Sequence, residues 1–255
     1  MQKTLSILLL LGVAVYAAAC LALFLLQRSL IYFPPSHAAV QAPKTSTMTV
    51  PGAVLAISER PRAGKPAIIY VGGNGEDVTM SLPLLDEAFP DHALYLLHYR
   101  GYTGSSGKPT EAALVADALL LCDRVAAAHA EVVLIGRSLG SGIALQVASR
   151  RPVHRLVLVT PYDSLAALAG RQFPYFPVRW LLRDRYDSVR YAPQVKAPTL
   201  VIAAGQDEVI PAQSTARLLA RFADGVATQQ VIEGAGHNTI SERAGYVKAL
   251  QWASK

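Results

Sequence analysis

At 255 residues the chain is long enough for one ordinary domain with an appendage and too short for several. Half of it is hydrophobic and only 16% is charged, so a sizeable core is available. The formal charge of +6 comes from scattered basic residues, which argues against a nucleic-acid surface, and the two cysteines supply no disulfide framework.

The first element is an uncharged run from Leu5 to Leu26. Its roughly 22 residues make about 33 Å of helix, enough to cross a bilayer core. A cleaved signal would have a shorter apolar stretch followed by polar chain. The "AAAC" at Ala17 to Cys20 superficially resembles a lipoprotein cleavage box, but the apolar run continues past it as "LALFLL". A buried core helix seldom stays apolar all round for this length. The favoured reading is an uncleaved, single-pass membrane anchor over 1–35. "IYFPP" at Ile31 to Pro35 reads as an interfacial aromatic pair before a stop. Lys3 favours a cytoplasmic amino terminus, hence a following domain outside the cytoplasm.

A domain over 36–255 follows. Thr45 to Glu59 predicts antiparallel edge strands. "AIIYV" at 67–71 and "ALYLLHY" at 93–99 predict buried strands, and Glu111 to Ala128 predicts a helix started by Thr110. Strand 132–136 leads to a helix at Leu139 to Ala148. Arg155 to Thr160 and Thr199 to Ala204 are strands, Ala212 to Phe222 a helix, Gln229 to Gly234 a last strand, and Ile240 to Trp252 a last helix. Short apolar strands alternating with helices predict an α/β fold with a mostly parallel sheet covered on both faces.

In such a sheet ligands bind beyond the carboxyl ends of the strands. Ser138 stands at one of those ends, between Gly136 and Gly140, in "IGRSLGSG". A tight strand-to-helix turn strains its central residue and leaves no room for bulk two residues to either side. Ser138 is therefore the candidate nucleophile. Ser141 is poorer, because Leu139 stands two residues before it.

A serine needs a base and an orienting acid. His92, His129 and His154 precede strands, at the wrong end. His37 adjoins the anchor, and His98 lies before the nucleophile in the chain. His237 follows the last strand at the correct end. Asp207, in "AAGQDEVIP", is the candidate acid. Asp163 is its rival, otherwise read with Ser164 as a helix cap. Backbone N–H groups of Leu139 and of Asn74, in "VGGNGED", are the candidate oxyanion donors. Tyr102, in the glycine-rich "YRGYTGSSGKPTE", is a candidate substrate contact.

The insertion at 164–198 predicts a short cap, leaving an open pocket. Its Arg179, Arg183, Arg185 and Arg190 read as a solvated face or a contact for anionic lipid or substrate.

From Leu30 to the end the chain resembles the α/β-hydrolase superfamily, and more narrowly its membrane-anchored bud-emergence type. The resemblance rests on "QRSLIYFPP", "GGNGED", "YRGYTGSSGKPTE", "IGRSLGSGIAL", "TPYDSL", "AGQDEVIP" and "GAGHN", in that order. It implies the α/β-hydrolase fold, a triad of Ser138, Asp207 and His237, and no cofactor. Relatives usually carry His-Gly-Asn in the oxyanion loop. Gly72 stands in place of that His, which removes a brace from the loop.

The expected chemistry is hydrolysis of an acyl ester, thioester or amide through an acyl-serine. The expected partners are the membrane and a small-molecule or lipid acyl substrate or an acylated protein, with no nucleic acid. A serine peptidase and a non-catalytic binding or scaffold protein are the alternatives. A fragment beginning near Ser36 is expected to be soluble and active on short esters.

Overall fold

The computed structural model describes residues 2–35 and 45–254. His37 and the linker start at Ser36 lie outside them. The strands are β1 (Thr45–Val50), β2 (Ala53–Arg60), β3 (Ala67–Val71), β4 (Ala93–Leu97), β5 (Val132–Arg137), β6 (Arg155–Val159), β7 (Thr199–Ala204) and β8 (Ala227–Ile232). The helices are α1 (Gln2–Ile31), α2 (Leu82–Ala88), α3 (Glu111–Ala126), α4 (Leu139–Ala148), α5 (Leu165–Gln172), α6 (Val178–Leu181), α7 (Ser188–Tyr191), α8 (Ala212–Leu219) and α9 (Ala244–Leu250).

The strands form one sheet in the order β1-β2-β4-β3-β5-β6-β7-β8. β1 pairs antiparallel with β2, and β2 with β4; every other pair is parallel. This is an α/β-hydrolase fold. Successive side chains of a strand point to opposite faces. Accordingly Ala67, Ile69 and Val71 enter one core layer, and Ile68 and Tyr70 the other. A strand buried on both faces has to be apolar throughout, which is why "AIIYV" does not alternate.

The connection from β4 to β5 crosses β3, so the strand order reverses between β3 and β5. The crevice for a ligand opens at such a reversal. Val71 pairs with Gly136 there, which sets the end of β3 beside the end of β5. On the far side Ala204 pairs with Ile232, so the loops leaving β7 and β8 start together.

Among the elements that differ from the sequence pattern, three have a local cause. The last helix is broken: Arg243 is extended at φ −88°, ψ 133°, and separates a 3-10 turn at Ile240–Glu242 from α9. Helix α8 stops at Leu219 because the chain folds back through two turns that bury Phe222. β8 starts two residues earlier than its apolar core suggests, since the solvated edge is polar.

Helix α1 is apolar and largely exposed along its first two-thirds, and is long enough to cross a membrane. Its last turns are built into the domain. Arg28 Nε meets Asp184 Oδ2 at 3.0 Å, and Gln27 bonds Leu181 and Arg183 of the insertion. Tyr32 is buried, with its hydroxyl 3.1 Å from Asp184 Oδ2 and 2.9 Å from Tyr186 Oη. Burial pushes the Tyr32 phenol well up, so it acts as a neutral donor.

Candidate active site

Ser138 occupies the turn between β5 and α4 at φ 47°, ψ −116°, a conformation that a non-glycine residue adopts only under constraint. Its N–H donates to Val159 O at 2.9 Å. A Cβ on Gly136 would lie 2.5 Å from Gly140 O, and one on Gly140 would overlap the carbonyls of Val71 and Gly72. Gly136 lets α4 press against its own strand β5, Gly140 lets it press against the end of β3, and the turn is closed by that packing.

The loops after β7 and β8 bring the other two candidates together. His237 Nε2 lies 2.9 Å from Ser138 Oγ, and His237 Nδ1 lies 3.0 Å from both Asp207 oxygens. A carboxylate only accepts, so Nδ1 carries the proton and Nε2 presents its lone pair to the hydroxyl. Asp207 Oδ1 also accepts the N–H groups of Val209 at 3.0 Å and Ile210 at 2.7 Å, which fixes the carboxylate. Both side chains are buried.

Glu208 does not point away from this group. Its Oε2 accepts the His237 main-chain N–H at 3.0 Å, and that bond draws its carboxyl below the usual glutamate range. Gly236 leaves space for that carboxylate, since a Cβ there would lie 2.8 Å from Oε2.

Asp163 is engaged elsewhere. It accepts Ser214 Oγ at 2.6 Å, Arg217 Nε at 2.7 Å and Ser164 N–H at 2.8 Å. Ser164 alone caps α5, through Ala167 N–H. Asp163 ties α8 to the loop after β6 and is not the cap expected from sequence. The remaining described histidines are also occupied or remote. His98 Nε2 meets Ser58 Oγ at 2.8 Å, and burial lowers its pKa. His129 bonds Lys65 O and Tyr95 Oη.

In the loop after β3, the Gly73 N–H is taken by Glu76 Oε2 at 2.6 Å. That leaves the next N–H, from Asn74, as the loop's candidate oxyanion donor. Leu139 N–H opens α4 and has no intrahelical acceptor. Asn74, Leu139, Ser138 and His237 border one cavity. The brace missing at Gly72 is supplied by Glu76. Its carboxylate accepts four donors: Gly73 N–H, Tyr70 Oη at 2.7 Å, Ser81 Oγ at 2.7 Å and Arg137 Nη1 at 3.1 Å. A His side chain at position 72 would strike Val78, whose Cγ1 already lies 2.6 Å from a Cβ built there.

Tyr102 does not line the cavity. It is buried, and its hydroxyl donates to Asn74 Oδ1 at 2.7 Å. The Asn74 side chain is also tied to α1 and the residues after it, through Ile31 O at 2.5 Å and Phe33 N–H at 3.2 Å. Tyr102 therefore supports the loop.

The cavity holds about 650 Å³, within the range of small-molecule sites. α1 supplies part of its wall, through Leu23, Gln27, Leu30 and Ile31. Among the described residues, no group of three or more His, Cys, Asp or Glu side chains is arranged to hold a metal ion.

Elbow, crevice and sheet order define the class: an α/β hydrolase. The family model for the alpha/beta hydrolase fold matches residues 66–191. An uncharacterised protein of Mycobacterium tuberculosis is 35% identical over 233 residues, spanning 83% of this chain and 80% of its own. The human alpha/beta hydrolase domain-containing protein 17B is 30% identical over 62% of this chain and 54% of its own. Among solved structures, a hydrolase from Pseudomonas aeruginosa superposes with a TM-score of 0.65 at 22% identity, over 84% and 98% of the two chains. An esterase from Pyrococcus furiosus does so at 0.66 and 17%, over 87% and 98%. The chain belongs to the α/β-hydrolase superfamily.

Proposed function

We propose that this protein is a membrane-anchored serine hydrolase of the bud-emergence type that cleaves acyl esters or thioesters. The observation that carries the reading is the continuous relay from Ser138 Oγ through His237 to Asp207, at 2.9 and 3.0 Å, on a strained turn beside two candidate oxyanion donors.

In this mechanism Ser138 Oγ attacks the acyl carbonyl carbon while His237 Nε2 takes the hydroxyl proton. Asp207 holds the Nδ1–H tautomer and stabilises the imidazolium. The carbonyl π electrons move to oxygen, which the N–H groups of Leu139 and Asn74 bind. Each such donor is worth about 3–4 kcal/mol in the transition state. Collapse breaks the bond to the leaving oxygen or sulfur, which receives the proton from His237. Water then repeats the attack on the acyl-serine, giving the free acid and restoring Ser138.

The anchor supports a substrate at the membrane, either a lipid acyl ester or an acylated protein. The reading of 1–35 as anchor and linker, 36–255 as the hydrolase domain and 164–198 as a cap belongs to the same proposal, as does a catalytic domain outside the cytoplasm. An intact relay disfavours a non-catalytic scaffold, whose usual sign is a degraded triad.

Labelling of the detergent-extracted protein by a fluorophosphonate tests the reading. Wild type is expected to label and to hydrolyse p-nitrophenyl butyrate, and Ser138→Ala to do neither. Full labelling of Ser138→Ala would remove Ser138 as the nucleophile.

A further inference from the structure

The cavity at Ser138 has two apolar walls. One is the insertion, with Leu165, Leu168, Phe176 and Leu181. The other is α1, with Leu23, Gln27, Leu30 and Ile31. Those four positions recur at the spacing of one helix face. Among the described residues no Asp, Glu, Lys or Arg lines the cavity, so no charged side chain there would pair with a charged acyl group.

The outside of both walls is apolar too. Leu21, Leu25 and Leu26 of α1 are exposed, as are Phe173, Tyr175 and Trp180 of the insertion, the last two at 85% and 86%. The tip of the insertion, "FPYFPV" at 173–178, carries no charge. It lies along the apolar stretch of α1: the Tyr16 and Phe176 rings stack at 5.8 Å, and Tyr16 Oη donates to Tyr175 O at 2.9 Å. Tyr16 stands about 18 Å along the helix from Arg28. Arg183 places its guanidinium 4.2 Å from the Phe24 ring, nearer the end of the apolar run. The uncharged tip of the insertion, packed along the apolar stretch of α1, therefore presents its exposed aromatics to the membrane beside that helix.

Resting on the serine-hydrolase reading above, we propose that α1 is one wall of the acyl-binding channel. The substrate is a long-chain acyl ester that enters sideways from the bilayer, between α1 and the tip of the insertion. The anchor is thus part of the binding site. Its apolar face carries the chain while the carbonyl reaches Ser138, and the polar leaving group stays on the aqueous side. The room left along α1 sets how long a chain the channel houses, so chain length is the readout.

The test uses the full chain in phosphatidylcholine nanodiscs. A palmitoyl-type fluorophosphonate with a terminal diazirine is reacted with wild type, illuminated and mapped by peptide mass spectrometry. Cross-links are expected in the α1 segment 16–31 and in the insertion. In parallel, p-nitrophenyl butyrate and palmitate are compared for wild type, Leu23→Trp, Leu30→Trp and the outlying Leu9→Trp. The two channel variants are expected to crowd out the long chain and lower the palmitate-to-butyrate ratio of kcat/KM at least about tenfold, and Leu9→Trp to keep it. Labelling with cross-links absent from α1, or an unchanged ratio in both channel variants, would overturn the channel while leaving the nucleophile in place. Failure of wild type to label at all would overturn the serine-hydrolase reading, and the channel with it.

Discussion

Glu76 Oε2 accepts Arg137 Nη1 at 3.1 Å, and the same oxygen accepts the Gly73 N–H at 2.6 Å. One carboxylate thereby joins the residue that precedes the candidate nucleophile to the loop that carries the candidate oxyanion donor. Glu76→Gln keeps the shape but leaves the buried Arg137 charge unpaired. Breaking such a pair costs about 3 kcal/mol of stability. The loop position should show in kcat more than in KM, because donors are felt at the transition state. Thermal melts with ester turnover check both; a variant with wild-type kcat would show that the loop holds its place without Glu76.

The two aspartates separate cleanly. Asp207→Asn offers His237 an amide instead of a pure acceptor and favours the wrong tautomer. Turnover is expected to fall by about 10⁴. Asp163→Asn keeps the relay and weakens the ties to Ser214 and Arg217, a loss of about 1–3 kcal/mol in urea melts with much smaller loss of rate. The reverse ranking in p-nitrophenyl butyrate assays would exchange their roles.

Glycine positions give a test of packing. Gly140→Ala drives a methyl into the carbonyls of Val71 and Gly72, and about 3 kcal/mol or more of stability should go. Gly170, inside α5, has nothing within 4 Å of its missing Cβ, so Gly170→Ala should stabilise by about 0.5–1 kcal/mol. Denaturant midpoints of both variants measure the contrast.

Truncation at Ser36 is expected to destabilise the domain. Removing Arg28 and Tyr32 leaves Asp184, 5% exposed, without two of its partners, and removes Ile31 and Phe33 from Asn74. Arg28 is nearly half exposed, so solvent screens that pair and the combined loss is about 1–3 kcal/mol. A fragment beginning at Phe24 keeps these contacts and should melt well above one beginning at Ser36. Equal melting temperatures would mean that the docked turns of α1 carry no stability.

The Glu208 carboxyl sits below its ordinary range because it accepts the His237 N–H. A group with a depressed folded pKa stabilises above its unfolded value, about 4.3, and that contribution fades as pH falls through the folded value. The difference in melting temperature between wild type and Glu208→Gln should therefore be present at pH 7 and shrink below pH ~4. A gap that persists to pH ~3 would assign the effect to something other than charge.

Strands, sheet and relay were legible because each has a local signal. "AIIYV" and "VVLIG" are apolar runs bounded by turns, and Ser138, Asp207 and His237 each follow a strand at its carboxyl end. The supporting carboxylates were not legible. Glu76 has four partners drawn from residues 70 to 137, and no spacing rule foretells them. Asp184 meets Arg28 across 156 residues, so the attachment of α1 to the insertion left no trace in either segment. Tyr102 was misread for the same reason: a loop tyrosine near a site has no local mark that separates support from contact.

Ser138 is held at φ 47° in a region that costs a non-glycine residue about 1–3 kcal/mol. The position that suits the chemistry is thus one at which the fold would prefer another residue. Ser138→Gly, free of that cost, should refold to a protein more heat-resistant than its parent and without catalytic power. Selection for robustness alone would erase this side chain; with Ser138 as the proposed nucleophile, its presence on such a turn is a trade of durability for reactivity.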